Sequence, residues 1–307
     1  MPTSTPPFPR LLVPYDGSEP ARAALTAAIG LAKRGAAVTI VTIVDETPVI
    51  AQTATTMIAY DPTPLMDALD AQGTALLNDA AAQCLAAGVT PTLTTVHDRP
   101  VAGILSTTDA DPFDLIIMGT HARTGVARTF LGSTTEGVLR SSRLPVLTIR
   151  SVDRAVAEPF ATALVAIDDS EPADAAAALA ALLARTSGTR VLACHAIDSD
   201  RVLDNAAAVA YGFAPAKLVE DMRREAIATV EGALTRAALA EDTPIVIVDG
   251  DPARAVIAAA EDRHATVIVA GTHGRRGLRR FVLGSVAENI VRASDIPVLV
   301  VPAKHKT

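Results

Sequence analysis

The chain repeats its own sequence at a fixed offset, and this repeat constrains the fold more than any other feature. Gly119-Thr-His-Ala122 and Gly271-Thr-His-Gly274 lie 152 residues apart, and each is followed, nine residues later, by Gly-Ser. An internal duplication predicts two domains of equal fold, residues 1–152 and 153–307, each near the commonest domain size. The other matched landmarks are Leu12–Pro20 with Leu164–Pro172, Pro100 with Pro252, and Leu144–Leu147 with Ile296–Leu299.

Each half alternates short β-branched apolar runs with longer segments of helical period. This alternation predicts parallel strands with right-handed crossovers, and therefore two tandem doubly wound α/β domains of Rossmann-like fold. The predicted strands of the first half are 10–15, 37–44, 91–96, 115–118 and 146–149, and its helices are 18–33, 65–87, 101–110 and 133–141. In the second half the strands are 162–167, 190–196, 244–248, 266–270 and 298–301, and the helices are 170–185, 216–239, 252–264 and 285–293. Ser18 and Ser170 are predicted helix N-caps, each with a proline two positions later.

The composition indicates what fills the cores and which partners are excluded. Half of the residues are hydrophobic but only 3% are aromatic, which predicts cores of Ala, Val, Leu and Ile. No apolar run approaches the length of a membrane span, and Met1–Arg10 does not resemble a signal peptide, so a cytoplasmic location without membrane contact is predicted. Cys84 and Cys194 have no metal spacing and are predicted to be buried, reduced thiols. A net charge of −7 argues against a nucleic-acid binder.

The glycine motif has the pattern of a backbone cradle for phosphate. In the second half it follows the apolar run Thr266–Ala270, and its glycines permit positive φ and a close approach of main-chain N–H groups to a ligand. Gly284-Ser285 then opens a helix whose first free N–H groups can receive an anion. Asp16 and Asp168 end the first strand of each half, so they are predicted to meet the motif at the switch in winding direction. The stretches 46–64 and 199–215 are predicted lids over that crevice.

These residues resemble the tandem form of the universal stress protein family. The resemblance covers nearly all of both halves and is carried by the glycine spacing, by Asp-x-Ser-Glu-Pro after the first strand, and by the closing Pro-Val-Leu strand. It implies a five-stranded parallel sheet in each half, ATP in the crevice, and pairing of the two domains through their last strands, with further dimerisation.

The resemblance also implies a nucleotide site in each half. Asp168 would bind the ribose hydroxyls, the backbone around Ala196 and Ala270 would face the adenine, and the glycine turns would surround the phosphates. The implied residues of the second half are Ala166, Asp168, Ala196, Ala270, Gly271, Gly274, Gly284, Ser285, Val286 and Ala287. Those of the first half are Pro14, Asp16, Ile43, Met118, Gly119, Gly132, Ser133, Thr134 and Thr135.

The two implied sites differ, and this predicts unequal affinities. Ala122 stands where the second half has Gly274, and alanine in a left-handed conformation costs roughly 1–2 kcal/mol. That cost weakens binding on the order of tenfold, so the second site is expected to be the tighter. The second loop contains four arginines and the first loop contains two, which also favours tighter binding at the second site. Each arginine could instead be a solvated or subunit-contact residue.

Several residues have a structural alternative to a ligand role. Asp16 and Asp168 could merely favour the helix that follows, but Ser18 and Ser170 already offer the caps, so the ligand role is preferred. His121 and His273 are interpreted as turn residues bonding their own backbone rather than as phosphate donors, and His195 as a satisfied core residue.

The leading functional hypothesis is a protein whose ATP occupancy, with or without Mg²⁺, alters its shape, its dimerisation or its choice of partner. The competing hypothesis is an enzyme of the same fold, a slow ATPase or a nucleotidyl transferase. The G-x-x-x-x-G-K-[ST] loop is absent, and no lysine lies in either glycine motif, which disfavours the enzyme. Phosphoacceptor chemistry is disfavoured because no suitable aspartate ends the third strand. A scaffold without nucleotide remains an alternative for the first half, because of Ala122.

Overall fold

The computed structural model describes residues 6–47, 61–120, 131–150, 158–199, 215–272 and 283–303. These residues form two compact units, one within Phe8–Glu158 and the other within Pro159–Thr307. The predicted boundary between residues 152 and 153 lies outside the described residues, as do most of the two predicted lids.

The first unit contains five strands and four helices among its described residues. They are β1 (Arg10–Pro14), α1 (Glu19–Ala32), β2 (Ala37–Val44), α2 (Thr63–Ala86), β3 (Thr92–His97), α3 (Pro100–Ala110), β4 (Leu115–Gly119), α4 (Ser133–Ser141) and β5 (Val146–Ile149). Every predicted element of this half is present, with ends within two residues of the prediction.

The second unit repeats the same order of elements. They are β6 (Thr162–Ala166), α5 (Glu171–Ser187), β7 (Arg190–Ile197), α6 (Pro215–Ala237), β8 (Ile245–Asp249), α7 (Pro252–Asp262), β9 (Val267–Gly271), α8 (Ser285–Ala293) and β10 (Val298–Val301). All predicted elements are again present, and their ends differ from the prediction by at most two residues.

Each unit has an all-parallel sheet flanked by helices, as predicted. The strand order is β3-β2-β1-β4-β5 in the first unit and β8-β7-β6-β9-β10 in the second. The chain winds outward from β1 to β3 and then returns to β4 on the other side of β1. The winding therefore reverses between β1 and β4, and between β6 and β9, which is where ligands bind in such sheets.

Small side chains allow the helices to pack closely on these sheets. On α1 the buried residues include Ala23, Ala24, Ala27 and Ala28, all fully inaccessible to solvent. The inner strands β1 and β4 are buried over most of their length, as expected for parallel strands that are covered on both faces. The predicted core of Ala, Val, Leu and Ile is thus confirmed for the described residues.

Side-chain caps fix the start of the first helix in each unit. The Ser18 Oγ accepts from the backbone N of Ala21 at 3.3 Å, and the Ser170 Oγ accepts from the backbone N of Ala173 at the same distance. Both predicted N-caps are confirmed. Among the described helices, none combines the length and the apolar character that crossing a membrane requires.

Candidate nucleotide site

The first unit holds a cavity of about 440 Å³ at the reversal between β1 and β4. Its walls come from the carboxyl ends of β1, β2 and β4, from the starts of α1, α3 and α4, and from one face of α2. The volume lies within the range of small-molecule sites. The position is the one that the winding of the sheet predicts for a ligand.

All nine residues that the sequence assigns to the first site line this single cavity. They enter from different elements, because the carboxyl ends of parallel strands lie along one edge of the sheet. The residues are Pro14, Asp16, Ile43, Met118, Gly119, Gly132, Ser133, Thr134 and Thr135.

Asp16 lies on a tight turn between β1 and α1. Its Oδ1 accepts from the backbone N of Ser18 at 3.0 Å, and the intervening Gly17 has a φ of 74°. The left-handed conformation at Gly17 is open to glycine without strain. Asp16 therefore supports the helix start and also lines the cavity, so the structural and the ligand roles are compatible in one side chain.

Gly119 is required by a close approach to the start of α1. A Cβ atom at this position would lie 2.6 Å from the Cβ of Pro20 and 2.9 Å from the backbone N of Ala21. No larger side chain fits there without a shift of α1. The glycine thus keeps the end of β4 directly beside the turn that carries Asp16.

The turn into α4 forms a further part of the cavity wall. The Gly132 N donates to the carbonyl of Thr120 at 2.8 Å, which holds the helix start beside β4. The Thr135 Oγ1 donates to the carbonyl of Gly119 at 2.8 Å, with the threonine 3% exposed. Ser133 and Thr134 follow at the first turn of α4, where free N–H groups and the helix dipole favour an anion.

Several parts of the cavity wall were not predicted from the sequence. They include Tyr15, Pro100 and Ile104 on α3, and a stripe on α2 formed by Leu69, Gln72, Gly73 and Leu76. The spacing of this stripe is that of one helix face, so the sequence carried a signal for a shared face. It carried no signal for what that face contacts.

The second unit builds the same turn with different residues. The Asp168 Oδ1 accepts from the backbone N of Ser170 at 3.2 Å, as Asp16 does with Ser18. Asp169 occupies the position of Gly17 and has a φ of 63°, a conformation that aspartate tolerates better than most residues. Asp169 and Asp174 both face Arg236 on α6, at 3.7 and 2.7 Å from its guanidinium.

Gly271 makes the same close approach as Gly119. A Cβ atom on it would lie 2.5 Å from the carbonyl carbon of Pro172. Gly271 is not among the described glycines with positive φ, so it does not use the left-handed conformation that glycine permits. The reason for glycine at this position is steric contact with α5.

The remaining described residues of the second site lie at the same edge of their sheet. Ala166 ends β6 beside Ala270 on β9, since Val165 pairs with Val269. The Gly284 N donates to the carbonyl of Thr272 at 2.6 Å, so α8 starts beside β9 as α4 does beside β4. Ser285, Val286 and Ala287 form the first turn of α8. Gly274 lies outside the described residues, together with Ala122, His121, His273 and the loop arginines.

Strand pairing makes Ala196 the counterpart of Ile43. Pro14 pairs with Val41, and Ala166 with Cys194, so the repeat offset grows by one residue at the second strand. Ala196 therefore occupies the strand position in the second unit that Ile43, a cavity residue, occupies in the first.

Three other predicted residues are satisfied within the fold. The Nδ1 of His195 lies 2.7 Å from the carbonyl oxygen of Ile167, in agreement with a structural role. Cys84 and Cys194 are free and buried, and burial raises the pKa of the Cys194 thiol to about 12. Within the described parts of the chain, no group of three or more His, Cys, Asp or Glu residues could hold a metal ion.

Comparison with known proteins agrees with this architecture. The sequence profile of the universal stress protein family matches the chain twice, over residues 7–150 and 159–302. The solved structure of a universal stress protein from Archaeoglobus fulgidus superposes with a TM-score of 0.69, covering 99% of this chain and 100% of that one at 23% identity.

Curated relatives give the same assignment. A universal stress protein of Mycobacterium bovis is 29% identical over 191 residues, a match that spans 61% of this chain and 61% of the relative. One from Mycobacterium tuberculosis is 28% identical over 236 residues, 76% of this chain and 68% of the relative. With its two family domains in tandem, the chain belongs to the universal stress protein family.

Proposed function

We propose that the chain is a cytoplasmic stress-response protein that binds ATP, and that nucleotide occupancy alters its conformation, its dimerisation or its choice of protein partner. The observation that carries this proposal is that the nine residues implied by the family resemblance line one cavity of about 440 Å³ at the sheet reversal. A ligand changes such equilibria only through its different affinities for the two states.

The first-unit cavity offers a suitable group for each part of a nucleotide. The Asp16 carboxylate can accept from ribose hydroxyls, and hydrogen bonds to a charged group are among the stronger ones. Apolar walls such as Ile43, Met118 and Ile104 suit the faces of a base. The N–H groups of Ser133 and Thr134 in the first turn of α4 suit phosphate oxygens. Mg²⁺ would enter with the nucleotide, since it is commonly held by substrate phosphates, waters and one or two carboxylates.

The second site is proposed to be the tighter of the two. Glycine at position 274 would permit a left-handed turn in which alanine, the residue at the matching position 122, would cost strain. The second loop is also enriched in positive charge, by Arg275, Arg276, Arg279 and Arg280. The matching turn at Asp168 and the matching approach of Gly271 to Pro172 support a second site of the same plan. Pairing of the two domains through their last strands, and homodimerisation, also stay proposals.

Identification of the ligand that co-purifies with the chain tests this proposal. Native mass spectrometry of the freshly purified protein should give a mass increase of one or two adenine nucleotides, and denaturation should release them for identification. The doubly substituted variant Asp16→Asn/Asp168→Asn should lose this mass. Asp114→Asn is the control, because Asp114 also accepts from a backbone N–H (Arg10, 2.8 Å) but precedes β4, at the opposite end of that strand from the cavity.

The same protein tests the enzyme alternative. Incubation with labelled ATP should give turnover well below about 1 s⁻¹, the low end of ordinary enzymes. Faster turnover that is lost in the Asp16→Asn/Asp168→Asn variant would replace the binding proposal with an ATPase.

A further inference from the structure

Tyr15 connects two walls of the first-unit cavity that are far apart in sequence. It follows β1 directly, and its backbone N donates to the Val41 carbonyl at 2.8 Å, which prolongs the pairing of β1 with β2. Its own carbonyl accepts from the Thr42 Oγ1 at 2.9 Å. The residue is only 2% exposed, and its backbone is therefore fixed by the sheet.

The Tyr15 hydroxyl is bound on both sides by α2. It donates to the Asp79 Oδ2 at 2.6 Å and accepts from the Gln83 Nε2 at 3.2 Å. The Gln83 Nε2 also lies 3.1 Å from the Asp79 Oδ2, so the three groups form a closed triangle. Within it, Asp79 and Gln83 lie one helical turn apart on α2. The Arg22 Nε lies 4.0 Å from the same Asp79 oxygen. Burial and the bond to Asp79 raise the pKa of Tyr15, so the hydroxyl stays protonated and remains a donor.

The same face of α2 continues from this triangle to the cavity. Asp79 lies one turn after Leu76, and Leu76, Gly73, Gln72 and Leu69 line the cavity. Gly73 allows α2 to approach β2, since a Cβ atom there would lie 3.1 Å from the Val44 Cγ2. Through its bonds to Asp79 and Gln83, Tyr15 therefore connects the C-terminal half of α2 to the turn that carries Asp16.

We propose that Tyr15 is a positioning residue of the first nucleotide site, which holds α2 against the Asp16 turn and so sets the width of the cavity. This role rests on the proposed nucleotide binding. It is specific to the first half, because Ile167 stands at the matching position and has no hydroxyl to offer. In the second unit, an exposed pair of hydrogen bonds from Arg236 to Asp174, at 2.9 and 2.7 Å, ties α6 to α5 instead.

The substitution Tyr15→Phe removes the hydroxyl and keeps the ring. Isothermal titration with ATP should show the first-half affinity reduced about tenfold, the effect of losing one hydrogen bond to a charged group, and the second-half affinity unchanged. The first-half binding event is the one that disappears in Asp16→Asn. Hydrogen exchange of the nucleotide-free protein should be faster in α2 of Tyr15→Phe and unchanged in α6.

Two variants of Asp79 separate positioning from general stability. Asp79→Asn keeps an acceptor oxygen and should retain most of the first-half affinity, whereas Asp79→Ala should reproduce Tyr15→Phe. Asp79→Ala combined with Tyr15→Phe should bind no more weakly than either alone, because both remove the same bond. The stability control is Val38→Ala, a buried truncation near the amino end of β2, away from the cavity, which should leave the affinity unchanged.

Each contrary result has a distinct meaning. A wild-type protein whose first half binds no ATP would overturn the proposed function, and the role of Tyr15 with it. First-half binding that is equal in the wild type and in Tyr15→Phe would overturn the role of Tyr15 alone. A loss of affinity in Val38→Ala as large as that in Tyr15→Phe would likewise overturn only the role of Tyr15.

Discussion

Gly119 at the end of β4 lies so close to Pro20 at the start of α1 that a Cβ atom on the glycine would be 2.6 Å from the proline Cβ. Gly271 and Pro172 repeat this relationship in the second unit. The contact places the end of the fourth strand beside the turn that carries the acidic residue. Both proposed sites depend on it, because the turn and the strand end form adjacent walls.

Gly119→Ala should destabilise the first unit by about 1–3 kcal/mol, the usual cost of forcing a methyl group into a packed region. The contacted atoms include backbone atoms of Pro20 and Ala21, which cannot rotate away. Urea denaturation measures the loss. The control is Gly232→Ala on α6, whose Cβ atom would meet only the flexible end of Arg236, at 3.2 Å. Because alanine favours a helix by up to about 1 kcal/mol over glycine, this control should be neutral or stabilising, and equal losses in both variants would contradict the packing argument.

Thr135→Val should lower the stability of the first unit by about 1 kcal/mol, because it deletes the hydroxyl bond to the Gly119 carbonyl while keeping the side-chain shape. Thermal unfolding detects such a change. Thr26→Val is the comparison, since the Thr26 hydroxyl bonds the carbonyl of Arg22 on an exposed helix face. A Thr135→Val protein as stable as Thr26→Val would show that the buried bond contributes nothing.

The contribution of Ser199 to stability should depend on pH. Hydrogen bonds from the Ser199 hydroxyl and backbone N lower the pKa of Asp249 below its ordinary value of 3.8. Because the pKa of Asp249 is lower in the folded state, its ionised carboxylate stabilises the folded protein at pH values above the pKa of the unfolded state. This stabilisation is lost as the pH falls below about 4. The difference in free energy of unfolding between the wild type and Ser199→Ala should therefore shrink from pH 7 to pH 3.

Ser294→Ala provides the control for that pH series. The Ser294 hydroxyl bonds the backbone of Ile296 and no titratable group, so its deletion should cost the same at every pH. Parallel pH profiles for the two variants would contradict the assignment to Asp249.

Neither thiol should react with a disulfide reagent at pH 8 in the folded protein. Burial raises the pKa of Cys84, and that of Cys194 to about 12, so only about one Cys194 in ten thousand is a thiolate at pH 8. Both thiols should react in urea, and the absorbance of the released reagent gives the count. Fast reaction of either thiol without denaturant would show that its unit opens readily.

The sequence predicted the order of elements well, because the period of the apolar residues and the duplication constrained each other. The ends of β2, α4 and β5 agree to the residue, since the turn and capping signals beside them are local. The predicted residues of the first site also came together, because strand ends in a parallel sheet share one edge.

The parts that sequence could not supply depend on tertiary packing. Tyr15 looked like the last residue of a strand, and its partner Asp79 lies 64 positions away. The stripe at Leu69, Gln72, Gly73 and Leu76 has helical spacing, but nothing local indicates which element it faces. The sequence indicated only that Gly271 permits a positive φ, whereas the structure uses its missing Cβ to admit Pro172.

Isothermal titration of the nucleotide-free protein with ATP, in the wild type and in Asp16→Asn and Asp168→Asn, tests the central claim most directly. Asparagine keeps an oxygen that can accept from the backbone of Ser18 or Ser170, so the turns should persist while the charge is lost. The wild type should show two binding events, with the tighter one absent in Asp168→Asn and the weaker one absent in Asp16→Asn. A wild-type protein that binds no ATP, or one whose binding is the same in both variants, would contradict nucleotide binding at these two turns.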